Sequence, residues 1–572
     1  MTWLKKEYIL VLLVLALISV LPANVLYSRV NVRNHVSELN YEFFWKDPSN
    51  PPSYLLTPDL WINRFLFEVE LLEYGPYTRD IVNRSVHKYQ LGEITEHHPF
   101  QSEIGEWGYS FHHLYGLTDG SGRYHDGKYP KPPDTREEAL GHIRDYLLSI
   151  LENISRPWAA FNGHYPYHHY AAEWGYDVIG SEIGENINNY QMLLAFNRGA
   201  ARQYQKSWFI DVSAWMQGGI TDYSEFKPWG ESGGPNKGHS LSLYRRCYYM
   251  SYMGGTKSIV AEAGGVNFLL DSKDEDDCFI PSPLGYIGQE FYNFSRNFPD
   301  PGVPYTPYAI LLDHNHGSYP GFGRKLALDF FKYSQGDKMS YKWLDIFFPG
   351  GWEIRRENDV LVNSQYGDTC DILLQNAPLE CLKSYPVIIP SGEIQFSISQ
   401  IEDLLSYTDA GGILVLNQAY LPQFPEDITN SLDSTSLYEQ RDWGEGSIII
   451  YGPEYNPKVI GPTIIQELNN LLLPFRIEGD IQFMINRKEA SWVLTLMNNN
   501  GIRKPFDGIA KINRKKVSEI IIYFNPIQEM GDSNGVLDTT IYSNNINLEL
   551  VSNNLWKTKI PPGEIIIIEF KL

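Results

Sequence analysis

The sequence predicts an α/β protein that opens with a parallel (β/α) barrel and closes with a small β-sandwich, and three observations lead there. From about Asp134 to Phe298, helical and strand-like segments alternate in the pattern of successive βα units. From Asp371 to Leu416 the chain reads strand, strand, helix, strand, as in a doubly wound domain. After Tyr455 the apolar residues fall into short runs split by Asn and Gly turns, such as Trp492–Leu496, Glu519–Tyr523 and Glu564–Glu569, which read as sandwich strands. At 572 residues the chain is also longer than one core supports, since single cores stop growing near ~250–300 residues.

Within the first region, Thr135 is placed to cap a helix through Glu137, Leu140, Ile143, Leu147 and Ile150, with Pro157 beyond its end. Strands are expected at Trp158–Asn162, Asp177–Glu182, Trp208–Val212 and Ser258–Glu262, and helices at Tyr190–Tyr204 and Ser240–Met253. Upstream of Asp134 the pattern places no strand. Ser102-Glu-Ile-Gly-Glu106 recurs as Ser181-Glu-Ile-Gly-Glu185, a weak sign of an internal repeat. Asp-Pro-Gly and Pro-Tyr-Thr-Pro within Asp300–Pro307 interrupt the periodicity and predict a domain boundary open to proteolysis. The expected division is 1–28, 29–302 for the barrel, 303–455 for the doubly wound domain and 456–572 for the sandwich.

Lys5 and Lys6, the apolar run Tyr8–Leu21 and Leu21-Pro22-Ala23 have the three parts of an export signal. The uncharged run continues to Tyr27, long enough for an uncleaved membrane anchor, so residues 1–28 are read as either signal peptide or anchor. Both place the body outside the cytoplasm, extracellular or membrane-anchored facing outward. Sequons at Asn83, Asn153 and Asn293 are compatible with export.

A net charge of −22 excludes a polyanion partner such as nucleic acid, which requires clustered Lys and Arg. All 14 histidines lie between His35 and His316, and ten of 14 tryptophans lie between Trp45 and Trp352, so a polar, aromatic-lined site belongs in the first part. Adjacent pairs His97-His98, His112-His113 and His168-His169 do not make a metal site, because neighbours on a strand face opposite ways and no H-E-x-x-H occurs. No metal and no cofactor is expected. Cys370 and Cys381 either close a short loop as a disulfide or, with Cys247 and Cys278, are buried thiols.

Ser282-Pro-Leu-Gly with the helix to Phe298, the strand Tyr308–Asp313, and Tyr385–Pro390 with Asp409–Val415 resemble the beta-galactosidase group of glycoside hydrolases, family forty-two and its relatives. The likeness is one of architecture over about residues 280 to 420. It implies a (β/α)8, TIM-type barrel followed by an amidotransferase-like, flavodoxin-like domain and a small β domain, with a carbohydrate substrate and glycosidase activity. Counting back from that group's last barrel helix makes Ser258–Glu262 the eighth strand, Trp208–Val212 the seventh and Asp177–Glu182 the sixth. The group's Asn-Glu pair at the fourth strand is missing here, where Glu182-Ile-Gly-Glu185-Asn186 stands instead. Glutamine hydrolysis is excluded for the middle domain, because no G-x-C-x-G occurs and no His follows His316. Packing or homo-oligomer contacts are left as its role.

Glycoside hydrolysis needs two carboxyl groups flanking the bond. Strand-end acids supply them, and the candidates are Glu182, Glu185, Glu262 and Asp211. Glu262 with Glu182 or Glu185 is the expected pair, and Asp211 supports it. Val178 and Glu182 share a strand face, so one points into a barrel if the other does. His164, Tyr167, Trp174, Asn186 and Trp215 are expected to contact the sugar, with Asn162 and His168 nearby, and His314 and His316 near the junction with the middle domain. The alternative is a non-catalytic glycan-binding or cell-surface protein on the same scaffold, which would not need its strand-end acids. A polysaccharide lyase would call for cations there.

Overall fold

The structure is a computed structural model that describes residues 131–152, 158–163, 167–184, 189–216, 218–223, 229–256, 258–261, 269–271, 278–315, 331–350, 360–428, 438–452, 456–526, 536–542 and 546–572, with the short pieces 77–78, 100–104, 114–115 and 129. The expected signal or anchor, residues 1–28, lies outside the described residues. No helix among the described residues is long and apolar enough to cross a membrane.

The first unit is built on a parallel sheet of β1 (Phe100–Ile104), β2 (Trp158–Asn162), β3 (Val178–Ile183), β4 (Ser207–Val212) and β8 (Ser258–Ala261), with strands in that spatial order. Helices α1 (Arg136–Leu151), α2 (Tyr167–Glu173), α3 (Tyr190–Tyr204) and α4 (Leu241–Met253) alternate with them. Each described strand of this sheet pairs with the next in sequence, so right-handed crossovers put every helix on one face. That is the order of a barrel wall, in contrast to a doubly wound sheet, where the order reverses. Among the described residues this sheet has five strands and is not closed, so the expected closed eight-stranded barrel is not seen.

Side-chain parity fixes the two faces. Phe161, Ile179, Ile183, Trp208, Ile210, Val212 and Ile259 join the buried cluster beneath the helices. Val178 and Phe209 are buried but stand apart from it, on the opposite face with Gly180, Glu182 and Asp211. Thr135 caps α1 by accepting from the Glu138 N–H at 3.1 Å. β1, which the sequence pattern did not place, carries Ser102, Glu103 and Ile104 of the first copy of the recurring pentapeptide. Ser102 pairs with Ala160 and Ala160 with Val178, so the two serines stand three residues apart in level and the recurrence is not a structural repeat.

β4 is followed by an excursion of three short strands, β5 (Trp215–Met216), β6 (Gly219–Thr221) and β7 (Gly233–Gly234), before α4. After β8 comes α5 (Pro283–Asn297), capped by Ser282 with Pro283 in its first turn.

The middle unit has β9 (Tyr308–Leu312), α6 (Gln335–Phe347), β10 (Cys370–Leu374), β11 (Val387–Pro390), α7 (Ile398–Asp409), β12 (Ile413–Asn417), the antiparallel edge pair β13 (Tyr438–Trp443) and β14 (Gly446–Tyr451), and α8 (Pro457–Leu472). Its sheet order, β10-β9-β11-β12-β14-β13, is doubly wound. Cys247, Cys370 and Cys381 are buried free thiols, which decides the open question about a 370–381 disulfide.

The last unit packs the sheet β16 (Gln482–Arg487), β17 (Ser491–Met497), β22 (Ile565–Lys571) and β19 (Asp538–Ile541) on a second sheet, β15 (Phe475–Glu478), β18 (Ser518–Phe524), β21 (Leu555–Ile560) and β20 (Leu548–Ser552). The core between them includes Phe475, Trp492, Leu494, Ile522, Trp556 and Phe570.

Asp300–Pro307 is not the open linker its prolines suggest. Val303 and Pro304 pair with Arg487 and Asn486 as an added strand of the sandwich, and Arg202 of α3 donates to the Pro304 carbonyl at 2.8 Å. Backbone polar groups satisfied in this way leave little for a protease to grip.

The units share buried polar contacts. α3 lies against the edge strand β10 so closely that a Cβ on Gly199 would stand 1.8 Å from the Ile372 carbonyl oxygen. His169 Nε2 donates to that same oxygen at 2.9 Å, and Gln203 Oε1 accepts from the Leu374 N–H at 2.8 Å. The open hydrogen-bonding groups of an edge strand are thereby covered by side chains from the first unit. Arg198 and Arg202 both pair with the buried Asp371 at 2.7 Å.

Candidate active site

In a parallel sheet fed by α/β connections, the loops that follow the strands form the functional face. Asn162 ends β2, Glu182 stands one residue before the end of β3, and Asp211 stands one residue before the end of β4. Glu182 and Asp211 are register partners on neighbouring strands, and both are buried, at 7% and 4% exposure. Their side chains share the face away from the helices, which answers the conditional posed by Val178. Two acids placed there are expensive unless they are used or paired.

Asn162 reaches across β3 and donates its Nδ2 to Asp211 Oδ2 at 3.2 Å. Its own Oδ1 is buried with no hydrogen-bond partner among the described residues. Beneath this trio, Gly180 pairs with Phe209, and the far edge of the Phe209 ring occupies the space a Cβ would take, 2.2 Å from it. The ring is thus the floor on which the polar groups stand. At the rim, Gly184, at φ +143°, lets the chain pass against Ser213, whose N–H donates to the Ile183 carbonyl at 2.9 Å.

The excursion after β4 adds to the same end of the sheet. Trp215, half-buried, meets the Trp229 ring edge to face at 5.5 Å. Asp222 and His239 are buried polar residues on this excursion, and His239 packs edge-on against Tyr244 at 5.7 Å. Neither was singled out from the sequence, where the segment reads only as a Gly/Pro-rich loop. The signal present was an acid directly after the short apolar strand Gly219–Thr221.

Glu185, Asn186, His164, Glu262 and His316 lie outside the described residues. Glu262 directly follows the described end of β8. Two expected sugar contacts are corrected. Tyr167, the first residue of α2, is fully buried in the core under the helices, edge to face with Tyr170 at 6.0 Å. Trp174 follows the end of α2, and a helix that leaves β2 and leads back to β3 ends at the opposite edge of the sheet. There Trp174 stacks on Tyr170 at 5.4 Å, beside the Glu173–His314 pair at 2.8 Å that joins the first and middle units. Burial lowers the His314 pKa, but the hydrogen bond and charge of Glu173 outweigh it and the net direction is upward. His168 is structural, with Nε2 2.9 Å from the Gly163 carbonyl oxygen and 2.6 Å from Ser181 Oγ. Among the described residues, no group of three or more His, Cys, Asp or Glu side chains is gathered for a metal ion.

No sequence-family model and no curated protein matches the chain. Among solved structures it is similar to the beta-galactosidase of Bacillus circulans sp. alkalophilus, at 10% identity and a TM-score of 0.46, over 76% of this chain and 66% of that one, just under two thirds of its length. It is also similar to the cold-adapted beta-galactosidase of Rahnella sp. R3, at 10% identity and a TM-score of 0.42, over 88% and 75% of the two chains. The exo-carrageenase of Bacteroides ovatus is similar at 11% identity and a TM-score of 0.41, over 76% and 56%.

Proposed function

We propose that the chain is a glycoside hydrolase whose acid–base chemistry is carried out on the face shared by Asn162, Glu182 and Asp211. The observation that carries this reading is the register pairing of two buried acids at the ends of neighbouring parallel strands, with an amide aimed at one of them. One carboxyl group holds a proton for the leaving oxygen, while the other stays ionised as nucleophile or base. Asn162 directs an N–H at Asp211 and thereby favours the ionised form of that residue. Glu182 is then the proton donor, and Glu262 is proposed to join them from the next strand in the sheet. Trp215 offers a ring face to a sugar at the rim.

The substrate class is an oligo- or polysaccharide, and β-galactosides are the first to try because the sequence resembles that group. Register partners on adjacent strands stand about 4.8 Å apart at the backbone. Such spacing suits the ~5–5.5 Å carboxyl separation of retaining enzymes. The experiment is to assay the full chain and its Glu182→Gln, Asp211→Asn and Glu262→Gln variants on chromogenic glycosides and plant, algal and microbial polysaccharides. Turnover that falls by about 10² or more in Glu182→Gln and Asp211→Asn, with the fold retained, is the expected result. Wild-type turnover in all three variants would place the site elsewhere. Binding without turnover on the whole panel would favour a glycan-binding protein.

A further inference from the structure

A cavity of about 510 Å³ lies between the middle unit and the sandwich, within the ~300–1,000 Å³ usual for small-molecule sites. Its described lining comes from the turn Gln365–Tyr366, the end of α8 with the residues after it, and strands β15, β16 and β18. None of that lining belongs to the first unit. The floor is apolar and aromatic: Tyr366, Leu473, Phe475, Phe483 and Phe524 are each less than a tenth exposed. The rim is made of side-chain amides, with Gln365, Gln466, Asn470 and Asn525 exposed and Asn469 half-buried.

The walls are held from both units. Asn469 Oδ1 accepts from the Tyr308 hydroxyl at 2.6 Å, the Asn525 N–H donates to the Pro474 carbonyl at 2.7 Å, and Asn525 Nδ2 donates to the Asn470 carbonyl at 3.0 Å. Arg476, the one charged residue of the described lining, is already engaged. Its guanidinium lies 4.2 Å from the centre of the Tyr523 ring, its register partner, and donates to Glu478 at 2.8 Å. The amide groups of Gln466 and Asn470 have no partner among the described residues.

We infer that this cavity is a second carbohydrate site, separate from the strand-end acids, which takes a neutral sugar residue. An anion or cation gains little there, because the described lining holds no carboxylate and its single cation is paired. A wholly apolar ligand would strip water from the rim amides and return no hydrogen bond. A sugar meets both surfaces, since its C–H face covers an aromatic floor while its hydroxyls pair with amides, each of which offers a donor and an acceptor side by side. The site binds and does not cleave, so it is independent of the hydrolase reading. In a hydrolase it would keep a polymer at the enzyme between turnovers.

Hydrogen exchange on the full chain, titrated separately with lactose, cellobiose and maltose, tests this. Saturable protection over residues 466–477 and 523–525 with at least one of them is expected. It should persist in Glu182→Gln and weaken about tenfold or more in Gln466→Ala/Asn470→Ala, two exposed positions whose truncation leaves the fold intact. Absence of protection there with all three sugars overturns the assignment, as does protection that the double variant leaves unchanged. Protection confined to residues 158–216 would overturn it while leaving the hydrolase reading in place.

Discussion

Asn162 and Asp211 are joined by a 3.2 Å hydrogen bond across the strand that carries Glu182, and the second oxygen in that contact, Asn162 Oδ1, has no described partner of its own. An amide so placed has two tasks: it holds the carboxylate, and it presents an acceptor to a ligand hydroxyl. Asn162→Ala removes both. The buried Asp211 then loses a donor, and stability should fall by about 1–3 kcal/mol in denaturant titration. Turnover should fall further than the folded fraction does. If stability drops and specific activity per folded molecule does not, the contact is purely structural.

Gly180 is required by Phe209. A methyl group at position 180 would overlap the ring edge at 2.2 Å, in a layer packed from both sides. Gly180→Ala should therefore destabilise the chain by about 1–3 kcal/mol through overpacking. Phe209→Leu alone leaves a gap and is also destabilising, yet together the changes should cost less than their sum, because the shorter side chain vacates the space the methyl needs. A double-mutant cycle on unfolding midpoints measures this coupling. Strict additivity would mean that ring and glycine do not meet.

The βα rhythm was legible where the sequence states its own limits. Thr135 and Ser240 cap helices through their side chains, and the strand at Trp208–Val212 starts just after the end of a helix at Tyr204. Phe100–Ile104 was not legible, because Phe-Gln-Ser-Glu-Ile lacks an apolar run and its neighbours carry no helical period. Asp300–Pro307 misled because proline is as suited to an added edge strand as to a linker. At the site, strand-end acids can be read from order alone. The tie between Asn162 and Asp211 cannot, since it depends on register across a third strand. Trp174 was misplaced for a related reason: its nearness in sequence to Tyr167 and His168 says nothing about which end of α2 faces the strand termini.

Export is expected from Lys5, Lys6 and the apolar run Tyr8–Leu21, a pattern that no domain of the described structure needs. A reporter fused after Thr57 should be translocated, and replacing Leu12 and Leu13 with Asp should keep it inside. Cytosolic reporter in both fusions would remove the basis for placing the protein outside the cell.

Asp368 sets two physical effects against each other, and stability as a function of pH decides between them. Its carboxylate sits where all three units meet, accepting from Gln191 Nε2 at 2.8 Å and from Gln482 Nε2 at 2.7 Å. Neither amide can turn to offer its oxygen. Gln191 Oε1 already accepts from the Val362 N–H, and Gln482 Oε1 accepts from Asn499 Nδ2, whose own oxygen is taken by the donor-only Arg246. Donors on both sides favour the ionised form, but burial opposes it more strongly and pushes the carboxyl from 3.8 up to about 6, with Gln482, Gln191 and the charge of Arg198 holding it back. A raised acid is protonated in the folded chain at pH values where the unfolded chain has released the proton. Its contribution is therefore fully present below 3.8, declines as pH rises to about 6 and is absent above. The decline amounts to roughly 3 kcal/mol. Asp368→Asn cannot titrate, so the difference in urea midpoint between it and the wild type should move in favour of the variant as pH is raised from 4 to 7. Parallel midpoint curves would mean that the two amide donors outweigh burial and that Asp368 remains ionised throughout.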